Sequence, residues 1–290
     1  MTGIAAPASR AERFVDLHMH STASDGMLSP TDLVTAARTA GLSAIALTDH
    51  DTLDGIAEAR AAGEAQNVRV IAGVELSAHE GDREIHVLGL HLTRLAALEE
   101  RLAGFRATRR TRAAQIVDRL RSLGFPIDLE AVWREAGAGA VGRPHVARVL
   151  IANGWAKDHR DAFDRLIGSG RPAYVPKERL ALAEAVQILH DAGGLAVVAH
   201  PGPDGTRARL EALKRLGFDG VEVRHPGHTA EDVARLGTLT EYLDLVPSGG
   251  SDWHGLAEGP RMIGNMHVPM AWLERQEALV RERSSSERVA

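Results

Sequence analysis

The chain has 290 residues, 44% of them hydrophobic, a formal net charge of −5 and no cysteine. Without cysteine there is no disulfide framework, no thiolate zinc site and no iron–sulfur cluster, so a bound metal must sit among nitrogen and oxygen donors. The mild acidity offers no global field for nucleic acid or anionic membrane, no apolar run of about 18 residues is present, and residues 1–13 lack the apolar core of a signal peptide, so the cytoplasm is the expected address.

Residues 1–12 and 276–290 read as flexible termini. The first apolar run, Phe14-Val15-Asp16-Leu17, ends in His18-Met19-His20. Side chains two apart on a strand point the same way, so these two imidazoles share a face. Asp25 follows five residues later. Ser29-Pro30-Thr31-Asp32 opens a helix with a capping serine and an early proline; Leu33, Val34, Ala37 and Ala40 keep the helical spacing and Gly41 stops it. A second strand, Ala44-Ile45-Ala46-Leu47-Thr48, leads to Asp49-His50, and residues 52–66 read as a helix with Ile56, Ala59 and Ala62 inward. A third strand from Val68 to Val74 ends at Glu75, and a fourth, from Glu84 to Leu90, carries His86. This alternation predicts a parallel sheet.

From about residue 96 to 189 the pattern becomes helical, over 98–123, 129–136, 144–153 and 158–167, with one short strand-like piece at 172–176. The expectation is an all-helical subdomain inserted into a discontinuous barrel domain of residues 13–95 and 190–275. Alternation then resumes: helix 181–192, strand 195–199 ending at His200, helix 205–217, strand 219–224 leading to His225, helix 229–241, and strand 243–247 leading through a glycine turn to Asp252-Trp253-His254. Strands and helices in this order fit a closed barrel or an open doubly wound sheet, both of which collect reactive groups at strand carboxyl ends. Groups arriving from the first, second, third, fifth and last strands must meet at one point, which favours the barrel.

The candidate metal ligands are His18, His20, Asp25, His50, Glu75, His86, His200, Asp252 and His254. Nine are too many for one cation; at four to six donors each they serve two or three ions, with Glu75 or Asp252 as a bridge, and a mixed imidazole and carboxylate shell suits manganese, iron or zinc. Metals held close together activate water and neutralise phosphoryl oxygens, which predicts a hydrolase. The segments Asp16-Leu17-His18-Met19-His20-Ser21, Thr48-Asp49-His50-Asp51, Gly73-Val74-Glu75, His86-Val87-Leu88-Gly89, Val198-Ala199-His200-Pro201 and Gly250-Ser251-Asp252-Trp253-His254 resemble the motifs of PHP (polymerase and histidinol phosphatase) domains, over about residues 14 to 270. The helical insertion resembles that of stand-alone PHP phosphoesterases acting on nucleotides and short RNA, through Gly142-Arg143-Pro144-His145 and Arg171-Pro172-Ala173-Tyr174-Val175-Pro176. The resemblance implies an α/β fold, a distorted seven-stranded barrel with three divalent ions, commonly manganese. On that pattern His18, His20, Glu75 and Asp252 hold one ion, Glu75, His86 and His200 a second, and Asp25, His50 and His254 a third.

Other groups must hold the substrate. Arg143 precedes Pro144 at a helix start, where a forked guanidinium beside free backbone N–H groups makes an anion site. His225, at the same rim but outside the nine, would bind phosphate or protonate the leaving oxygen; with Glu75 and Asp252 it forms the expected catalytic set. His145 and Lys177 are further substrate-binding candidates. Arg106, Arg109, Arg110 and Arg112 read as a solvated helix face; the alternative is that one or two of them grip a second phosphate across the cleft between barrel and insertion. The expected activity is hydrolysis of nucleotide phosphate esters, either 3′,5′-bisphosphate nucleotides or 5′-phosphorylated short RNA, by a metal-bridging hydroxide. Small substrates suit the modest acidity better than long duplexes. The alternatives are a histidinol-phosphate phosphatase, which by the same resemblance lacks such an insertion, and a metal-binding module of a larger nucleic-acid assembly.

Overall fold

The computed structural model describes residues 13–137, 141–176, 180–255, 259 and 261–287; residues 1–12 and Lys177 lie outside them, as does the side chain of Arg106. Ser29 caps the first helix, α1 (Pro30–Thr39), its Oγ accepting from the Asp32 N–H at 3.1 Å, with Pro30 in the first turn. That helix joins β1 (Phe14–Met19) to β2 (Ala44–Leu47), and α2 (Ile56–Gln66) joins β2 to β3 (Arg69–Glu80). Helix α2 starts four residues later than periodicity predicts, because residues 52–55 form the turn that carries the chain away from His50.

Strand β4 (Arg83–Leu90) returns antiparallel along β3, with Glu75 opposite Leu88 and Ser77 opposite His86. The expectation of a parallel sheet is corrected here: β4 is also antiparallel to β6 (Leu195–Val198). A tight hairpin at residues 81–82 requires this, since a parallel neighbour needs a crossover of a dozen or more residues. Glu75 and His86 therefore lie within strands rather than at carboxyl ends.

Beyond β4 come α3 (Leu95–Ser122), α4 (Leu129–Ala136), α5 (Arg143–Ala152), α6 (His159–Ala162) and a π-helical turn, Phe163–Ile167. No strand forms at 172–176; instead β5 (Leu180–Ala181) pairs with β3. The chain continues through α7 (Leu182–Asp191), β6, α8 (Arg207–Arg215), β7 (Gly220–Arg224), α9 (Ala230–Tyr242), β8 (Val246–Gly249), β9 (Val268–Pro269) and α10 (Met270–Glu287). The sheet has nine strands in the order β8-β7-β6-β4-β3-β2-β1-β9 with β5 beside β3, two more than expected. Strands β5 and β9 are two residues long, too short for hydrophobic alternation to signal. The ring nearly closes where the chain after β8 meets β1: Trp253 bridges Met19, and the Asp252 N–H donates to the His18 carbonyl at 2.9 Å.

The inner face of the ring packs Val15, Leu17, Ala44, Ala46, Ile71 and Leu88 around Leu273 of α10, while Met19, Ile45, Leu47 and Val74 pack outward against α1, α2 and α7 to α9. Leu17 faces in and Met19 faces out although they are two apart. The β1–β2 register shifts between Asp16 and Met19, and this irregularity turns His18 and His20 to the inside. A separate hydrophobic core, including Ile116, Leu120, Val146 and Ile167, lies among α3 to α6, with α3 contributing Leu98 and Leu102 to the barrel core at its other end.

The expected flexible terminus at 276–290 is corrected as far as Glu287: α10 continues through it, with Gln276 fully buried and donating through Nε2 to the Pro247 carbonyl at 2.7 Å. The charged, serine-rich outer face of this helix conceals the buried one; residues 288–290 lie outside the described residues. No described helix is long and apolar enough to cross a membrane.

Candidate metal centre

Glu75 sits at the middle of β3 with its side chain 1% exposed and five imidazoles around it. Its Oε2 is 3.2 Å from His18 Nε2, 3.1 Å from His20 Nε2 and 3.4 Å from His50 Nδ1; its Oε1 is 2.8 Å from His86 Nδ1 and 3.2 Å from His200 Nε2. Asp252 brings Oδ1 within 3.3 Å of both His18 Nε2 and His20 Nε2, and Asp25 lies 3.4 Å from His254 Nε2. All nine sequence-derived candidates meet here. Their donor atoms fall into three groups, each within 4.8 Å: His18, His20, Glu75 and Asp252; Glu75, His86 and His200; and His20, Asp25, His50 and His254. Two groups repeat the sets implied by resemblance, and the third adds His20.

Irregular backbone converges these strands. Asp51, His200 and Asp252 hold left-handed φ values of 50°, 30° and 48°, a conformation costly for non-glycine residues and concentrated at functional sites. A Cβ on Gly250 would lie 2.4 Å from the His18 backbone nitrogen, so only glycine lets the loop carrying Asp252 approach β1. Asp49, at the end of β2, accepts from Ser21 N (2.7 Å), Ser21 Oγ (2.7 Å) and Ser24 Oγ (2.7 Å), pinning the turn that carries Asp25.

Three imidazoles have one nitrogen committed to a supporting oxygen and the other aimed at the cluster. His18 Nδ1 meets Glu222 Oε1 at 2.9 Å, His86 Nε2 meets Glu84 Oε1 at 3.2 Å and His254 Nδ1 meets the Asp252 carbonyl at 2.9 Å. Such pairing fixes the tautomer and leaves a lone pair facing inward, the usual support of a metal-ligating histidine. Both nitrogens of His20 and Nδ1 of His50 are buried with no hydrogen-bond partner of acceptable geometry. Orphaned ring nitrogens are costly unless something accepts their lone pairs. The donor set, entirely imidazole and carboxylate, therefore fits divalent cations.

Glu222 and Glu84 are not anticipated from sequence, although an acid in the apolar run Gly220-Val221-Glu222-Val223 is the kind of buried charge that calls for a partner. Glu222 is fully buried and accepts the His200 N–H at 2.6 Å through its second oxygen, so it orients two members of the cluster. Glu222→Gln is expected to weaken metal binding about 10- to 100-fold while leaving the circular dichroism spectrum intact. Metal titration of the purified variant checks this, and unchanged affinity contradicts it.

Proton occupancy follows from the same geometry. Burial pushes His50 down to about 3, leaving it neutral. Burial also lowers His20 and His86, but Asp252 and Glu75 around His20, and Glu75 and Glu84 around His86, prevail and raise both to about 10. Without metal, both carry a proton at neutral pH. Their stabilising contribution is complete below the unfolded value near 6.5 and is lost as pH rises through about 10. Metal must displace these protons. Titrating manganese at pH 7 into chelator-treated protein should thus release protons, seen as a heat that varies with the ionisation enthalpy of the buffer; equal heats in phosphate-free buffers of different enthalpy contradict it.

His225 lies beside the cluster, Nε2 3.3 Å from Asp252 Oδ2, with Nδ1 accepting the Gly227 N–H at 3.0 Å. Arg143 faces the aromatic rings of Phe163 at 5.4 Å and Tyr174 at 5.7 Å. Arg109 is taken up by a buried ion pair with Asp51, and Arg112 donates to the Val175 carbonyl at 2.8 Å, so neither is on a solvated face. Arg110 instead covers Trp133. His145 is 1% exposed and spends both nitrogens on backbone: Nδ1 accepts the Gly142 N–H at 3.0 Å and Nε2 faces the Ser24 carbonyl at 3.2 Å. It ties α5 to the Asp25 turn and has no nitrogen left for substrate. Lys177 is outside the described residues.

A family model of the PHP domain matches residues 16–129. The chain is 37% identical over 245 residues to a 5′-3′ exoribonuclease of Haemophilus influenzae, covering 82% of this chain and 89% of that protein. It is 34% identical over 258 residues to a 3′,5′-nucleoside bisphosphate phosphatase of Chromobacterium violaceum, covering 87% and 90%. Among solved structures, a Bifidobacterium adolescentis protein described as a metal-dependent phosphoesterase superposes with a TM-score of 0.82 at 32% identity, over 91% of this chain and 95% of that one.

Proposed function

The chain belongs to the PHP domain family, and from that premise we propose that it is a metal-dependent phosphoesterase hydrolysing phosphate esters of nucleotides that carry a second phosphate. The observation that carries the substrate class is a cleft of about 160 Å³ lined by Asp25, His50 and His86 of the nine on one wall and by Arg109, Arg112 and Arg143 on the other. Burial, together with the nearby Arg143 and Arg109 charges, pushes Arg112 down to about 10. Cations crowded to that degree favour an anion between them, and guanidinium forks match phosphate oxygens. Residues 96–189 act as an insertion that supplies this basic wall, a reading supported by their separate core.

Three ions, of which manganese suits the donors best, would be held by the three donor groups, with Glu75 shared. Divalent cations bound there supply Lewis acidity toward water and toward the phosphoryl oxygens. Glu222 and Glu84 keep His18 and His86 turned inward. Arg143, held by cation–π contact with Phe163 and Tyr174, and Arg112 anchor the phosphate that is not cleaved. His225, whose Nδ1 accepts from Gly227, offers its Nε2–H as a hydrogen-bond donor to the departing oxygen.

The test is a panel assayed with manganese: adenosine 3′,5′-bisphosphate, a 5′-phosphorylated oligoribonucleotide and histidinol phosphate. Turnover of either or both of the first two, with little on the third, is expected. Activity confined to histidinol phosphate overturns the reading.

A further inference from the structure

The geometry points to Arg261 as a substrate-binding residue that grips the phosphate undergoing hydrolysis; this rests on the phosphoesterase reading above. Arg261 is the one guanidinium among the described residues with a hydrogen bond or ion pair to any of the nine clustered side chains. Its Nη1 contacts Asp252 Oδ2 and donates to the Asp252 carbonyl at 3.0 Å.

Holding Asp252 in place does not require it. That carboxylate already has His18 Nε2 and His20 Nε2 at 3.3 Å from Oδ1, His254 Nδ1 at 3.5 Å from Oδ1, and His225 Nε2 at 3.3 Å from Oδ2. A further permanent positive charge at this point is therefore surplus to the protein and complementary to an incoming anion.

The anchoring is also one-sided. Asp252 adopts a left-handed backbone, φ 48°, and its carbonyl receives both His254 Nδ1 and Arg261 Nη1. One nitrogen of the fork is thereby fixed, while Nη2 and Nε make no hydrogen bond with a described residue, and the side chain remains 37% exposed at the rim. A guanidinium held by one nitrogen, beside the carboxylate whose other oxygen faces His18 and His20, can hydrogen-bond an oxygen of phosphate bound at that group. The residue comes from the segment after the last recognised motif, so it supplies a phosphate contact separate from Arg112 and Arg143 in the insertion.

Isothermal titration of manganese-loaded protein with inorganic phosphate reads this contact without relying on turnover. Arg261→Met is expected to weaken phosphate binding at least about tenfold, with manganese content by plasma emission spectrometry unchanged, and Arg261→Lys, which keeps charge but not the fork, to fall between. On adenosine 3′,5′-bisphosphate the methionine variant should lose kcat/KM by a similar or larger factor. Phosphate affinity within twofold of the unaltered protein overturns the proposal. So does a loss that tracks lowered manganese content and is restored by added manganese, because Arg261 would then act only through Asp252. If the unaltered protein binds phosphate but turns over no ester, the phosphoesterase reading fails while the phosphate titration still decides the role of Arg261 as an anion contact.

Discussion

Glu75→Ala is expected to lower hydrolysis about 10²- to 10⁴-fold and to leave the purified protein largely free of metal. Glu75 is the common neighbour of His18, His20, His50, His86 and His200, and it belongs to two of the three donor groups. Divalent cations supply several kcal/mol of charge stabilisation in the transition state, and losing ~3–5 kcal/mol of it at 1.36 kcal/mol per tenfold gives that range. The loss should appear in metal content and in phosphate release together, and unimpaired manganese content in the variant contradicts it. Asp252→Ala should likewise abolish hydrolysis, but with the fold better preserved. Asp252 sits in a loop at the edge of the ring, whereas Glu75 is at the centre of β3.

Eight of the nine clustering residues are legible in the chain itself because each sits in or shortly after an apolar run, where a histidine or an acid needs an explanation; Asp25, in a polar turn, is legible only by its place five residues after His20. The direction in which those residues face is not. Plain alternation puts His18 on the face opposite Leu17, which packs inside the ring; only the register shift in β1 turns His18 and His20 inward, and no residue type announces it. The reversal of β4 is legible in principle, since Gly81 and Asp82 leave no room for a crossover, but a uniform β–α alternation masks the turn. Arg109 and Arg112 read as a solvated face because charge on a long helix usually is one; their partners, Asp51 and the Val175 carbonyl, are 58 and 63 residues away. Glu222 and Arg261 are similar cases. Each acts on a residue distant in the chain or beyond a loop, and spacing carries no trace of that.

His225→Asn separates stabilisation of the departing oxygen from phosphate binding. With Nδ1 accepting from Gly227, the neutral ring carries its proton on Nε2, the nitrogen that faces Asp252 and the cluster. A donor in that position stabilises charge building on the departing oxygen and contributes typically about 10²–10³-fold, and only when that oxygen is strongly basic. The oxygen of a departing ribose is strongly basic and needs such a donor; 4-nitrophenolate leaves as a stable anion. The variant should therefore lose about 10²–10³-fold in kcat on a nucleotide ester, yet less than about tenfold on 4-nitrophenyl phosphate, with manganese content unchanged. Equal losses on the two esters would make His225 a support for Asp252 instead, because a misplaced metal ligand slows both reactions alike. Asp252 has contacts from His18, His20, His254 and Arg261 besides His225, so its position does not depend on this ring, and the unequal outcome is the one the geometry favours.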